Sequence, residues 1–444
     1  MSYVANTADQ RREMLRMLGC SLDDLFAVIP PQLRAATLNL PSGRSEHEVR
    51  RILEVLSRRN RSEMLSFLGG GFYDHYIPAA VDAVIRRGEF TTAYTPYQPE
   101  ASQGTLQAVY EFQSAVCRLT GMEVANASLY DGGTALFEAA MMALRVTRRR
   151  RIIVDKAVNP IYRKMLCSYT GNLEIELCEC PCTGGRTDRQ VLARHLDDQA
   201  AAVIVQNPSF FGCLDDFTDV AQMAHDVGAL LIVSCYPVSL GILKTPGEMG
   251  ADIATAEGQC LGLPLSFGGP YLGLMATRQK LVRKMPGRIA GRTVDADGRQ
   301  AFALILQARE QHVRRAKATS NICTNESLCA LGALVYLTVL GKAGLAETAE
   351  LCASKAAYAR QRLLAVPGVT ARFDAPIFNE FVVDLPQPAA DVINHLIEHG
   401  FAAGFPLSRY YDGMENSMLV AVTEKRTKQE IGKLAETLEE VLWS

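Results

Sequence analysis

Between about residues 103 and 276 the chain alternates short apolar runs with amphipathic stretches, and no other feature constrains its fold as strongly. The runs lie at residues 152–154, 173–177, 202–205, 230–233, 253–255 and 272–276. Between them lie helical patterns such as Phe217, Val220, Met223, Ala224 and Val227, closed by Gly228, a residue suited to the position just past a helix. Short β-branched runs separated by single helices predict a mostly parallel sheet covered on both faces.

The flanks read differently. Val49, Ile52, Leu53 and Leu56 recur at helical spacing among charged residues, which predicts an N-terminal helical arm. The glycine- and aromatic-rich stretch from Phe67 to Tyr76 follows as a packed loop. Beyond residue 344 the pattern becomes helix, strand (378–383), helix (391–399), strand (418–422) and a last helix. Thr427 and Glu430 have the spacing of a capping box for that helix, and Ile431, Leu434, Leu438 and Val441 form its apolar stripe. The expected division is an arm and loop over 1–75, a large α/β domain over 76–343 and a small C-terminal α+β domain over 344–444.

With 444 residues and 48% apolar side chains, the chain can bury a sizeable core. Its net charge of -2 gives no overall field toward nucleic acid or an anionic membrane. The polar start lacks a signal-peptide core, and residues 331–340 are too short an apolar run to cross a bilayer. A cytoplasmic protein with twelve reduced cysteines is expected. Cys178, Cys180 and Cys182 lack zinc-knuckle spacing, so no metal is expected, and Cys323 reads as a buried thiol. The basic run Arg148 to Arg151 reads as a solvated helix cap.

Five segments carry a resemblance. They are Ala93-Tyr-Thr-Pro-Tyr-Gln-Pro-Glu-Ala-Ser-Gln-Gly104, Asn126-Ala-Ser-Leu-Tyr-Asp-Gly-Gly-Thr-Ala135, Ser266-Phe-Gly-Gly-Pro270, Met285-Pro-Gly-Arg-Ile289, and Arg309-Glu-Gln-His-Val-Arg-Arg315 followed by Thr319-Ser-Asn-Ile-Cys-Thr324. Over essentially its whole length the chain resembles the glycine cleavage system P-protein, glycine dehydrogenase (decarboxylating), and more closely subunit 1 of the two-subunit bacterial form. The resemblance implies an α/β fold of the type I pyridoxal-phosphate-transferase class. It also implies release of CO2 from glycine and transfer of the aminomethyl group to the lipoyl arm of H-protein. The implied partners are a cofactor-holding subunit 2 and lipoylated H-protein, in an α2β2 assembly.

A site of this fold type needs a lysine for the cofactor, an aspartate facing the pyridine nitrogen, usually a stacking ring, and a helix start for the phosphate. At the lysine position the chain has Gln259 or Cys260, neither of which can form the covalent link. Ser234 and Cys235 stand where the aspartate is sought, and Val158 and Asn159 where the ring is sought. Gly132, Gly133 and Thr134 keep the form of a phosphate-binding helix start, or of a plain tight turn. The expectation is a vestigial pocket, with pyridoxal 5'-phosphate held by the partner. Thr95, Tyr97 and Gln98 are candidates for contacts at the partner's site, or for simple interface packing. Arg288, Arg292 and Arg314 are candidates for docking H-protein, or ordinary surface arginines. Two rival readings are an independent pyridoxal-phosphate enzyme and a non-enzymatic docking module for H-protein.

Overall fold

The computed structural model describes residues 5–35 and 39–443; the first four residues of the polar start lie outside that range. Two compact units are present, Met1–Ser62 and Glu63–Ser444. In the first, the helices Ala8–Leu18 and Glu46–Ser57 each begin with a reciprocal capping box, Thr7 with Gln10 and Ser45 with Glu48. Neither helix buries a residue, so local capping rather than core packing defines their starts.

The second unit is built on a seven-stranded sheet: β1 (Val124–Ala125), β2 (Arg151–Asp155), β3 (Glu176–Cys180), β4 (Ala200–Asn207), β5 (Leu230–Cys235), β6 (Ile253–Glu257) and β7 (Gly273–Thr277). Their spatial order is β1-β7-β6-β5-β4-β2-β3. Only β7 runs antiparallel to its neighbours. Every residue of β5 and β6 is buried, as a sheet covered on both sides requires, and the polar Ser234, Thr255 and Glu257 are buried with the apolar ones. The run expected at 173–177 lies three residues further on, because pairing with β2 starts only at Arg151 opposite Glu176. Leu173 and Ile175 instead form the turn that leaves the helix Pro160–Thr170.

The basic run is more structural than its expected role as a solvated cap. Arg149 is half-buried and donates to the carbonyls of Ala200 and Val227, both at 2.8 Å. Arg151 pairs with Glu176 and Asp197. The long helix Ser327–Leu364 has the length and composition to cross a membrane, but it breaks its geometry at Gly341 (φ 60°) and buries Leu331, Tyr336, Cys352 and Leu363 within the body.

The C-terminal part carries an antiparallel four-stranded sheet in the order Thr370–Ala371, Glu380–Asp384, Ser417–Ala421, Phe405–Pro406. It is packed by the helices Ala389–Glu398 and Lys428–Trp443. The expected capping box is present: the Thr427 N–H donates to Glu430 Oε2 at 2.7 Å, and the Glu430 N–H to Thr427 Oγ1 at 3.2 Å. The Phe67 to Tyr76 loop joins both sheets. Leu65–Ser66 pairs in parallel with Phe401–Ala402, Phe67 enters the C-terminal core, and Gly70 and Gly71 (φ 79° and 110°) turn the chain toward the end of the central sheet.

Candidate functional site

At the C-terminal edge of the central sheet, β6 ends at Glu257 beside the start of the helix Gly132–Thr147. Such a helix start presents unpaired N–H groups to an anion. Here the anion is the protein's own. Glu257 Oε2 accepts from the Gly132 N–H at 2.8 Å, and Oε1 from the Gln259 and Leu272 N–H groups at 2.9 and 3.1 Å. Burial pushes the Glu257 carboxyl up to about 7, against the pull of these three donors. Asp131 caps the same helix through Thr134, whose hydroxyl it also accepts from at 2.9 Å. A Cβ on Gly132 would lie 2.5 Å from Tyr162 Oη and 2.9 Å from Glu257 Cβ, and one on Gly133 2.4 Å from Met165 Sδ. The cradle around the two glycines is therefore filled by side chains.

Gln259 is buried and committed to structure. Its Oε1 accepts from the Tyr73 N–H at 2.9 Å, while Nε2 donates to the carbonyls of Tyr73 and Leu263 at 3.0 and 2.8 Å. The amide thus fastens the Phe67 to Tyr76 loop to the segment after β6. Asn159 fastens it from the other side, donating to the Gly70 carbonyl at 2.9 Å. Cys260 is buried, which raises its thiol pKa well above the usual value, and Ser234 is buried at the end of β5. What remains between Gly71, Asn159, Tyr162, Ser234, Tyr236 and Glu257 is a cavity of about 30 Å³, room for one or two waters. It has no lysine in its wall. A cleft of about 600 Å³ opens beside it between Phe72, Tyr130, Asp131, Tyr162, Tyr271 and Glu326, also without a lysine. These residues do not fit a pyridoxal phosphate, because the anchor is missing and Glu257 takes the anion position.

Sequence reasoning missed the carboxylates that hold the loop. Glu380 accepts from the Gly70 N–H and the Tyr73 hydroxyl, both at 2.6 Å, and burial pushes it up to about 7. Glu424 accepts from His75 Nδ1 at 2.6 Å and from the Tyr76 N–H at 2.6 Å, and Cys352 Sγ lies 3.5 Å from it. The ring nitrogen of His75 opposite Glu424 meets the Tyr236 hydroxyl. The glycine run Gly69 to Gly71 was the sequence signal: a Cβ on Gly69 would lie 1.9 Å from Glu380 Oε1.

The Tyr94 to Gly104 segment packs on residues 287–312. Gln103 clamps it to Phe302 through two hydrogen bonds of 2.8 Å. Gln98 is exposed, Thr95 is half-buried, and Tyr97 is 44% exposed. The Tyr97 hydroxyl accepts from Arg288 Nη2 at 2.9 Å, and its ring lies over the Arg288 guanidinium at 5.2 Å. Arg288 is not a surface arginine: it is 5% exposed. Arg292, on the strand Ile289–Val294, and Arg314, which donates to the Ala308 carbonyl, are exposed. The three do not form one patch of free cations. Cys323, expected to be buried, is exposed, its N–H bonded to the Tyr130 hydroxyl at 3.3 Å.

Seven strands with one antiparallel member, a helix start facing the end of β6 and a smaller C-terminal sheet define a fold type I pyridoxal-phosphate-transferase-like protein. A Lactobacillus brevis glutamate decarboxylase shares this fold at a TM-score of 0.70, with 12% identity over 92% of this chain and 95% of that one. The sequence profile of the glycine cleavage system P-protein matches residues 1–438. The chain is 56% identical to a probable glycine dehydrogenase (decarboxylating) subunit 1 of Oleidesulfovibrio alaskensis, over 98% of this chain and 99% of that protein. It is 54% identical to the corresponding protein of Geotalea daltonii, over 99% of each. A crystal structure of glycine decarboxylase (P-protein) in inhibitor-bound form superposes with a TM-score of 0.93 at 44% identity, covering 100% of both chains. The chain belongs to the glycine cleavage system P-protein family, as a glycine dehydrogenase (decarboxylating) subunit 1.

Proposed function

We propose that this chain is the subunit of the glycine-decarboxylating enzyme that holds no cofactor and completes the active site of a homologous, lysine-bearing subunit 2. In this reading the partner's pyridoxal phosphate supplies the electron sink for loss of the glycine carboxylate, and the aminomethyl group leaves on the lipoyl arm of H-protein. The assembly is α2β2 and works in the cytoplasm. Thr95, Tyr97 and Gln98 are this chain's contribution to the partner's site: the loop is fixed from beneath by Gln103 and Arg288, and it keeps Tyr97 and Gln98 outward. Arg292 and Arg314 are left as the exposed cations of the predicted H-protein surface.

The observation that carries the reading is the internally filled pocket, in which Glu257 takes the helix start and Gln259 is bonded at both ends of its amide. With the helix start and the amide at the lysine position both committed within the chain, the anion site and the covalent anchor of a charged cofactor are missing together. The test is to purify the chain alone and with subunit 2. Alone it should be colourless once added pyridoxal phosphate has been removed by desalting, and inactive in glycine/bicarbonate exchange, and subunit 2 should restore exchange. A borohydride-sensitive absorbance band in the isolated chain, together with exchange, would replace this reading with an independent enzyme.

A further inference from the structure

Arg288 uses little of its hydrogen-bonding capacity. Its Nη2 donates to the Tyr97 hydroxyl, while Nε and Nη1 are buried with no partner among the described residues. Buried guanidinium N–H groups are normally matched by protein, water or ligand. Open buried nitrogens occur on other arginines here, and what sets Arg288 apart is two open nitrogens beside a second arginine with one. Arg309 repeats the pattern: its side chain is 9% exposed, Nε and Nη2 donate to the carbonyls of Leu306 and Gly287, and Nη1 is buried without a partner. The two arginines share a neighbourhood, since Arg309 bonds the residue next to Arg288 and both act on the buried Glu310. Glu310 Oε1 lies 3.7 Å from Arg309 Nη2, beyond hydrogen-bond range, and His312 is the other titratable group there, packed edge-on against Tyr97. Two guanidinium groups against one carboxyl leave an excess of positive charge, and Thr95, two residues before Tyr97, has a buried hydroxyl with no partner.

We propose that Arg288 and Arg309, beneath the Tyr97 ring, form a receptor for one oxyanion, a phosphate or a carboxylate, which the partner subunit presents when the Tyr94 to Gly104 loop docks. This rests on the proposed function, which takes that loop as the part that meets the partner. Paired guanidinium forks match an oxyanion's geometry, whereas one ammonium does not. Tyr97 covers the receptor in the isolated chain and must swing aside for the oxyanion to enter.

The test titrates the full-length chain with inorganic phosphate, and separately with acetate, in a zwitterionic buffer, following the thermal midpoint and phosphorus NMR line width. Saturable binding of one of the two is expected, and the stronger ligand identifies the chemistry. Arg288→Gln and Arg309→Gln should each weaken it by about tenfold or more, with circular dichroism unchanged. Arg288→Lys should weaken it less, and Tyr97→Phe, which frees Nη2 and loosens the cover, should keep or tighten it. Should the glutamine variants unfold, these last two decide: unchanged binding in Arg288→Lys together with loss in Tyr97→Phe overturns the inference. In the assembled complex the partner fills the receptor, so arginine-dependent phosphate binding should vanish; its persistence overturns the assignment to the partner. Normal assembly and exchange with no arginine-dependent binding in the isolated chain overturns this inference and leaves the proposed function standing.

Discussion

Gln259 stands where a lysine would hold a cofactor, and its surroundings say what a lysine would undo. The amide accepts one hydrogen bond and donates two, all to groups within the protein. An ammonium can only donate, so Gln259→Lys leaves the Tyr73 N–H without an acceptor and buries a charge where the glutamine is 1% exposed. The expected outcome is a loss of about 2–4 kcal/mol in denaturant unfolding and no absorbance band with pyridoxal phosphate. A yellow, decarboxylating variant would mean that Glu257 and the loop do not fill the pocket. Glu257→Gln makes the complementary point, because both carboxylate oxygens face N–H donors and an amide NH2 in place of either opposes a donor with a donor. It should cost about 1–3 kcal/mol in the same measurement. At this scale the missing lysine was legible, because identity at one position decides that chemistry. The role of Glu257 was not legible, because it depends on Gly132, 125 residues away.

The element that bears most on activity is the Tyr94 to Gly104 loop. Replacing Tyr97 with Phe and Gln98 with Ala should lower the turnover of the assembled enzyme, with assembly and the partner's cofactor content nearly unchanged. If the lost bonds are made mainly in the transition state, the cost is about 2–4 kcal/mol, roughly a hundredfold or more in rate. Titrating the variant chain against a fixed amount of subunit 2 checks this: a saturating rate equal to wild type would assign the loop to interface packing. The loop's extended shape was legible from Pro96 and Pro99, since neither allows a continuous helix. Arg288 beneath Tyr97 was not, because the contact spans 191 residues. Strands followed the same rule. The runs inside β4, β5 and β6 were placed within a few residues because burial on both faces leaves one composition. β3 was displaced, since its start is set by its partner strand rather than by its own pattern, and two-residue β1 has no period to detect.

For the whole molecule, the buried Glu257 and Glu380 and the half-buried Glu424 tie the Phe67 to Tyr76 loop and its pocket to both sheets, and they make stability depend on pH in a defined direction. Glu257 and Glu380 have folded values raised from 4.5 to about 7. A raised carboxyl binds more protons folded than unfolded, so its contribution is fully present below the unfolded value and is lost as pH rises from about 4.5 through about 7. Burial pushes Glu424 up, but its bonds to His75 and Tyr76 together outweigh this and hold it below 4.5, so its contribution is lost only as pH falls below about 4.5. The two trends place the optimum of this network on the acid side of neutrality. The raised groups are each worth about 3 kcal/mol at most between the ends of their window, enough to move an unfolding midpoint by several degrees. Thermal melts of the wild-type chain should therefore fall between pH 5.5 and pH 8. Glu380→Gln separates this from a general charge effect. A glutamine can accept the Gly70 N–H through its oxygen and donate its amide to the Tyr73 hydroxyl, keeping both bonds without a titrating proton. The variant should melt near the wild type at pH 5.5, exceed it at pH 8, and show a shallower slope between. A wild-type midpoint that is flat or rising over this range, with Glu380→Gln tracking it, would mean that Glu380 stays charged in the fold and that its bonds to Gly70 and Tyr73, not its burial, set its titration.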